Sequence, residues 1–420
     1  MSDKPVPLPA GAVKRFDWTR ASHVLRIIGA LEAKEPASAR FVGGCVRDSL
    51  LGEAPKDIDI ATTLTPDRVI EALKAAHLGA APTGIDHGTV TAIADHKPVE
   101  VTTLRADVST DGRRATVAFT RDWAVDARRR DFTINALYLT PSLELFDPVG
   151  GMEDLPHRRV RFIGAAEDRI REDYLRILRF FRFSARFASS FDEAGLAACA
   201  ALKDGVKRLS AERVGDEMMK LLALPTPQSA LSAMRASGVL SEIWPADPQI
   251  ETLARLKTIA SDADGPLALA ALYGAAGEGI DARLRLSNAQ GARRKAAVKN
   301  SGAIDRALDE RSARAALYRM GVDAWRDASL LAEADYLSSS EAPQKRDEKF
   351  AALSSLPDIW PPPTCPFTGK EALAAGVAEG PAVASLIKAA EARWIAEDFP
   401  ARARAMEIFA DEIRRTISPK

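Results

Sequence analysis

Cysteine is scarce: the chain of 420 residues has three, Cys45, Cys199 and Cys365. They are odd in number, far apart and form no metal-type pair. A reduced, cytoplasmic setting fits them best. All five histidines lie at or before His157, which rules out a histidine-based metal or general-base site in the C-terminal half. No unbroken apolar run of about 18 residues occurs, so no membrane span is expected. The opening MSDKPVPLPAGAVKRFDW lacks the apolar core of a signal peptide. Excess charge is missing too: 58 Lys and Arg balance 58 Asp and Glu. Any affinity for nucleic acid must then come from local arrangement.

What is present divides the chain. Its length predicts two to four domains at roughly 150 residues each. Residues 1 to about 20 read as a tail leading into a helix over about 19–32. Between 39 and 155 short β-type runs mix with helical ones, and FVGG, DIDIAT, TVTAIA, VEVTTL, NALYLT and LELFD are the strand candidates. From about 160 onward Ala, Leu, Arg and Glu recur at helical spacing. The expected fold is an α/β head, a small mixed sheet with helices, followed by an all-α neck, body and tail. Pro- and Ser-bearing stretches at 221–230 and between 338 and 366 mark soft breaks. The expected boundaries are head 1–155, neck 156–225, body 226–345 and tail 346–420.

The head carries the first chemical constellation, FVGGCVRDSLLG at 41–52 followed by KDIDIAT at 56–62. Gly43 and Gly44 follow an apolar run and precede a helical stretch. Two glycines let a backbone turn approach a phosphate, and a helix N-terminus favours that anion. Arg47 is placed to add a charged fork. A plain structural turn has the same signature. Asp57 and Asp59 shift the balance, because residues i and i+2 of a strand share a face. Two side-by-side carboxylates are unfavourable unless a cation neutralises them, and Mg²⁺ suits oxygen ligands with room for phosphates. Two such ions can activate a hydroxyl and stabilise a leaving pyrophosphate. The competing reading is a pair of solvated strand-end aspartates. Glu100, alternating with Val99 and Val101, is a third candidate carboxylate and equally an exposed strand residue.

GGCVRD, LLG and DIDIAT together resemble the first motif of the polymerase-β-type nucleotidyltransferases, in particular the class II tRNA CCA-adding enzymes and their bacterial poly(A) polymerase relatives. The resemblance implies that Asp57 and Asp59 bind catalytic metals, and that Gly44 and Arg47, with Gly43, contact a nucleoside triphosphate. ARRRDFTINAL at 127–137 is similar to the second motif, which puts Arg130 at the nucleotide, with Asp131 and Asn135 in the same motif. FDPVGGMEDL at 146–155 is similar to the third, read as a hinge whose glycines permit a bend and whose acids need no catalytic role.

IREDYLRILRFFRFSARF at 170–187 reads as one amphipathic helix. Ile170, Tyr174, Ile177, Leu178, Phe181 and Ala185 form its apolar stripe, with Arg176, Arg179, Arg182 and Arg186 opposite. Asp173 and Arg176 are neighbours three residues apart. They make either an ordinary surface pair or a pairing edge, with acceptors on Asp173 and a donor fork on Arg176. Cytosine and adenine both present an amino donor beside a ring-nitrogen acceptor, and guanine and uracil present the wrong order. EDYLRILR resembles the EDxxRxLR motif by which the family selects CTP and ATP, and Arg179 and Arg182 match further nucleotide positions. LSAERVGDEMMKLL at 209–222 is similar to the fifth motif, a bracing helix with Ser210 as N-cap.

The expected activity is addition of CCA to tRNA 3′ ends from CTP and ATP, with Mg²⁺ as cofactor and no protein partner required. Poly(A) polymerase, a CC-adding enzyme and an inactive RNA-binding module are the alternatives. The segment 105–122 fills the place of a flexible loop that CC-only enzymes are expected to lack. Residues 367–400 resemble the family's tail, where Lys370, Lys388 and Arg393 are candidate phosphate contacts.

Overall fold

The computed structural model describes residues 4–110, 115–339 and 346–417. Two compact units result, Met1–Leu221 with Ser229–Pro245, and Leu222–Gln228 with Ala246–Lys420. Among the described residues no helix is long and apolar enough to cross a membrane.

Among the described residues the first unit holds nine strands: β1 (Ala39–Val42), β2 (Asp59–Thr62), β3 (Gly79–Gly84), β4 (Thr89–Ala94), β5 (Lys97–Thr103), β6 (Arg105–Thr110), β7 (Ala115–Phe119), β8 (Tyr138–Leu139) and β9 (Leu145–Phe146). Seven make one mixed sheet in the order β3-β4-β5-β2-β1-β8-β9, and β6 and β7 form a separate hairpin. Only β2 and β5 run parallel; the other neighbours are antiparallel. Helices α1 (Ser22–Lys34), α2 (Gly44–Leu51) and α3 (Pro66–Ala75) follow. In α1 the residues Val24, Ile27, Ile28 and Leu31 are buried, the spacing of an amphipathic helix. α1 packs on α3 and β4.

The rest of this unit is helical: α4 (Trp123–Arg128), α5 (Gly151–Asp154), α6 (Ala166–Glu172), α7 (Leu175–Phe187), α8 (Glu193–Ala201) and α9 (Ala211–Leu222). α7 is joined to the head by aromatic packing. Phe132 lies 5.3 Å from Phe183, and Phe162 stacks on Phe180 at 5.4 Å. Such ring pairs contribute about 0.5–1.5 kcal/mol beyond their buried area. In the second unit Trp325, Leu317 and Phe350 centre one core, and Phe367, Trp394 and Phe409 another.

Several expectations are corrected. Residues Ala12–Arg20 are a 3₁₀ helix with Phe16 buried, and Trp18 meets Phe41 edge-on at 4.9 Å, so this stretch is anchored rather than a tail. Segment 105–122 contains the β6–β7 hairpin, with residues 111–114 outside the described ones. β3 was missed because Gly79, Pro82 and Gly84 read as punctuation. NALYLT yields only two strand residues, since Thr133–Asn135 turn as 3₁₀ helix. Residues Glu348–Ile359 are helical even through Pro357, where a break was expected.

Candidate active site

The glycine turn joins β1 to α2. Gly43 has φ 75° and ψ −126°, a conformation in which a side chain is strained. Its N–H donates to Leu137 O at 3.2 Å. A Cβ on Gly43 would lie 3.7 Å from Arg130 Nη1, and one on Gly44 3.7 Å from Arg47 Nη2. Two guanidinium groups therefore lie beside the turn that opens α2, a helix whose first N–H groups have no partner within it. Arg47 itself is buried. Its Nε donates to Asp48 Oδ1 at 2.8 Å, its Nη1 to Asn135 Oδ1, and its guanidinium stacks 4.2 Å from the Phe187 ring centre. It offers charge, not a free fork.

Below the turn, Asp59 is the first residue of β2 and pairs in parallel register with Glu100 of β5. The two acids share a face, while the next pair, Ile60 and Val101, is fully buried. Asp57 is exposed in a bend before the strand, so strand alternation is not what places it; the expected two-residue strand pairing with Asp59 is corrected. Burial pushes the Asp59 carboxyl up to about 6, Glu100 and Asp57 add to this, and Arg130 and Arg47 oppose it. Among the described residues no group of three or more His, Cys, Asp or Glu forms a ready-made metal cage. The donor set still suits a divalent cation. It is all oxygen, and its mutual repulsion is the cost that a cation would remove.

A chain of polar contacts runs from this turn into the neck. Asn135 Nδ2 donates to Asp131 Oδ1 at 3.0 Å, and Arg179 Nη2 reaches Asp131 Oδ2 at 2.6 Å. Asp131 is buried, yet Arg179, Asn135 and the Phe132 N–H together hold its carboxyl below the usual range. Arg179 lies 3.7 Å from Glu217 of α9, and Arg182 Nε donates to the same carboxylate at 2.6 Å. Arg186 completes the row on Glu53 at 2.8 Å. The basic side of α7 is thus docked on acids rather than solvated.

The expected single helix over 170–187 is two. It breaks at Asp173, which has φ −156° and ψ 107°, and α7 begins after Tyr174. The Tyr174 ring beside the break packs against Gly205, where a Cβ would overlap it. Asp173 and Arg176 do not pair side chain to side chain. Asp173 Oδ2 accepts from Arg213 Nη2 at 2.6 Å, and its Oδ1 from the Leu175 N–H at 3.1 Å. Arg176 Nη1 donates to Glu172 Oε2 at 2.5 Å and to Arg169 O at 2.9 Å, and its Nη2 to Arg129 O at 2.9 Å. These bonds hold both groups and leave further acceptor and donor capacity on each.

Among the residues of this network that escaped the sequence reading are Glu217, Arg213, Glu172 and Glu53. Glu217 had a signal, since it falls three residues after Val214 and one before Met218 on the buried stripe of α9. An acid in a core position implies a buried partner. Ser210 is borne out as a cap, its Oγ accepting from the Arg213 N–H at 3.4 Å. In the third motif Gly150 has φ 86°, as a bend requires, but Gly151 serves close packing: a Cβ would strike Thr133 O. In the tail, Arg393 is paired with Glu412 at 3.2 Å and Asp411 at 3.3 Å. Lys370 and Lys388 are exposed.

Residues 39–161 match the family described as poly A polymerase head domain. Residues 190–249 match one described as the probable RNA and SrmB-binding site of polymerase A. The chain is 33% identical over 379 residues to a Mus musculus protein named CCA tRNA nucleotidyltransferase 1, mitochondrial, covering 88% of this chain and 86% of that one. A CCA-adding enzyme of Oceanobacillus iheyensis is 44% identical over 183 residues, 43% of this chain and 45% of that one. The crystal structure of Bacillus stearothermophilus CCA-adding enzyme in complex with CTP superposes with a TM-score of 0.71 at 26% identity, over 94% of this chain and 98% of that one. Identity of 33% along 88% of this chain and 86% of the mouse protein makes this chain a member of the CCA-adding tRNA nucleotidyltransferase family.

Proposed function

We propose that this chain adds C, C and A to tRNA 3′ ends from CTP and ATP, releasing pyrophosphate at each step. The observation that carries the reading is the pairing of Asp59 with Glu100 beneath the Gly43–Gly44 turn, overhung by Arg130. In this reading Asp57 and Asp59 hold Mg²⁺, with Glu100 beside them. When bound, Mg²⁺ supplies charge neutralisation and favours ionisation of the attacking hydroxyl.

The chain's own residues do the remaining work. The turn admits the triphosphate close to the backbone, and Arg130 and Arg47 lend positive potential to it. Asp173 and Arg176 present acceptors and donors to the base edge. Asp131, Asn135, Arg179 and Arg182 hold these parts in register. Positioning of this kind supplies much of the rate in nucleotidyl transfer.

A poly(A) polymerase would share the early motifs, but such an enzyme holds generic RNA and gains from excess basic charge, whereas this chain is neutral. A CC-adding enzyme is disfavoured because segment 105–122 fills the place of the loop that such enzymes are expected to lack. An inactive RNA-binding module would have no use for the crowded acids. tRNA lacking CCA, incubated with CTP alone, ATP alone and both, distinguishes these. Addition of C, C and a single A supports the reading, and long A tails overturn it. We place the reaction in the cytoplasm, in keeping with three free cysteines; the mouse relative is mitochondrial by name.

A further inference from the structure

Asp126 lies on α4, outside every motif named above, and is almost completely buried. Its carboxylate gathers an unusual number of donors. Oδ1 accepts from Arg129 Nε at 2.8 Å and from the Arg105 backbone N–H at 3.3 Å. Oδ2 accepts from the Tyr138 hydroxyl at 2.7 Å and from Arg130 Nη2 at 3.1 Å. Despite burial, Arg130, Arg129 and Tyr138 hold the acid at about 2, so it is ionised at neutral pH. Arg105 opens β6, the first strand of the hairpin. Arg130 overhangs the glycine turn. The Arg129 carbonyl, one residue away, accepts from Arg176 Nη2 at 2.9 Å, and the Arg128 carbonyl accepts from Arg169 Nη1 at 3.1 Å.

We infer that Asp126 is a positioning residue for nucleotide selection, fixing Arg130 at the triphosphate and, through the Arg129 carbonyl, Arg176 at the base, both referenced to the root of the β6–β7 hairpin. This rests on the roles proposed above for Arg130 and Arg176. The physical reason is connectivity. One ionised, buried carboxylate satisfies the side chains of two consecutive arginines, so it fixes the backbone between them. That backbone carries the carbonyl on which the Arg176 fork rests. Loosening the carboxylate lets the carbonyl drift, and a fork misplaced by about 1 Å loses discrimination.

The test uses the full chain and CCA-less tRNA. Selectivity is read as kcat/KM for CTP over kcat/KM for UTP, in Asp126→Asn, Arg129→Ala, Arg129→Lys and Arg176→Ala. Arg129→Ala keeps the carbonyl and sits at a half-buried position, so it folds even if the Asp126 variant does not. Selectivity is expected to fall at least tenfold in Asp126→Asn and Arg129→Ala, and KM for CTP to rise in the former. Arg129→Lys is expected to recover most of the loss. Unchanged selectivity in folded Asp126→Asn or, failing that, in Arg129→Ala, with Arg176→Ala impaired, overturns the inference and leaves the base-selection reading intact. Unchanged selectivity in Arg176→Ala as well overturns that reading instead.

Discussion

Asp59 and Glu100 stand opposite one another on the parallel strand pair β2–β5 of the head sheet, and burial with this neighbour raises the Asp59 carboxyl to about 6. A folded-state value above the ordinary carboxylate value of 3.8 means that the native protein holds this proton more tightly than the unfolded chain. Stability from this group is therefore full at low pH and is lost as pH rises through the window from about 4 to 6. Ionised Asp59 costs the metal-free fold something at neutral pH.

Asp59→Asn removes that cost. In the absence of divalent ions, its melting temperature at pH 7.5 is expected to exceed wild type by a few degrees, corresponding to roughly 1 kcal/mol after allowance for partial solvent screening. The gain should vanish near pH 4. A variant no more stable than wild type at pH 7.5 would contradict the crowded-carboxylate account.

Activity should move the opposite way. Asp57→Ala and Asp59→Ala are each expected to drop nucleotide incorporation to background while tRNA binding, measured by filter retention, stays within a few-fold of wild type. Near-normal incorporation in both would remove the metal assignment.

Selection of bases rests on Asp173 and Arg176. Arg176→Ala is expected to raise UTP and GTP incorporation relative to CTP and ATP by an order of magnitude or more, because the donor fork that penalises a wrong edge is gone. Misincorporation assays on CCA-less tRNA decide it.

Gly205 lies far along the chain from that edge but touches it through Tyr174. Gly205→Ala drives a methyl group into the ring, and overpacking of this kind costs about 1–3 kcal/mol. We expect a lower melting temperature and reduced C and A preference. Gly302→Ala, where a Cβ meets nothing within 4 Å, serves as the control and should change neither.

Glu217 anchors Arg182 from a buried position. Glu217→Ala leaves a partly buried guanidinium without its carboxylate, a loss of about 3–5 kcal/mol. Calorimetry should show a large fall in melting temperature, and Glu217→Gln a smaller one. Equal stability of all three proteins would show that the Arg179–Glu217–Arg182 cluster does not hold the neck.

Much of this was written in local pattern. The alternation of Val99, Glu100 and Val101, the glycines before Arg47 and the apolar spacing of α1 each follow from the geometry of strand, turn and helix, which depends on residues a few positions apart. That is why the α/β head and the helical remainder could be read in advance. What the fold alone decided are the relations between distant segments. Which strand lies beside β2, and hence that Glu100 rather than another acid faces Asp59, is a matter of sheet order. That the Tyr174 ring beside the break at Asp173 packs against Gly205, with no room for a Cβ, is a contact between segments 31 residues apart. The arginines of α7 look solvated in sequence because no local rule announces Asp131, Glu217 or Glu53 as their partners. Local periodicity determines which faces seek burial; long-range packing determines what each buried charge must meet.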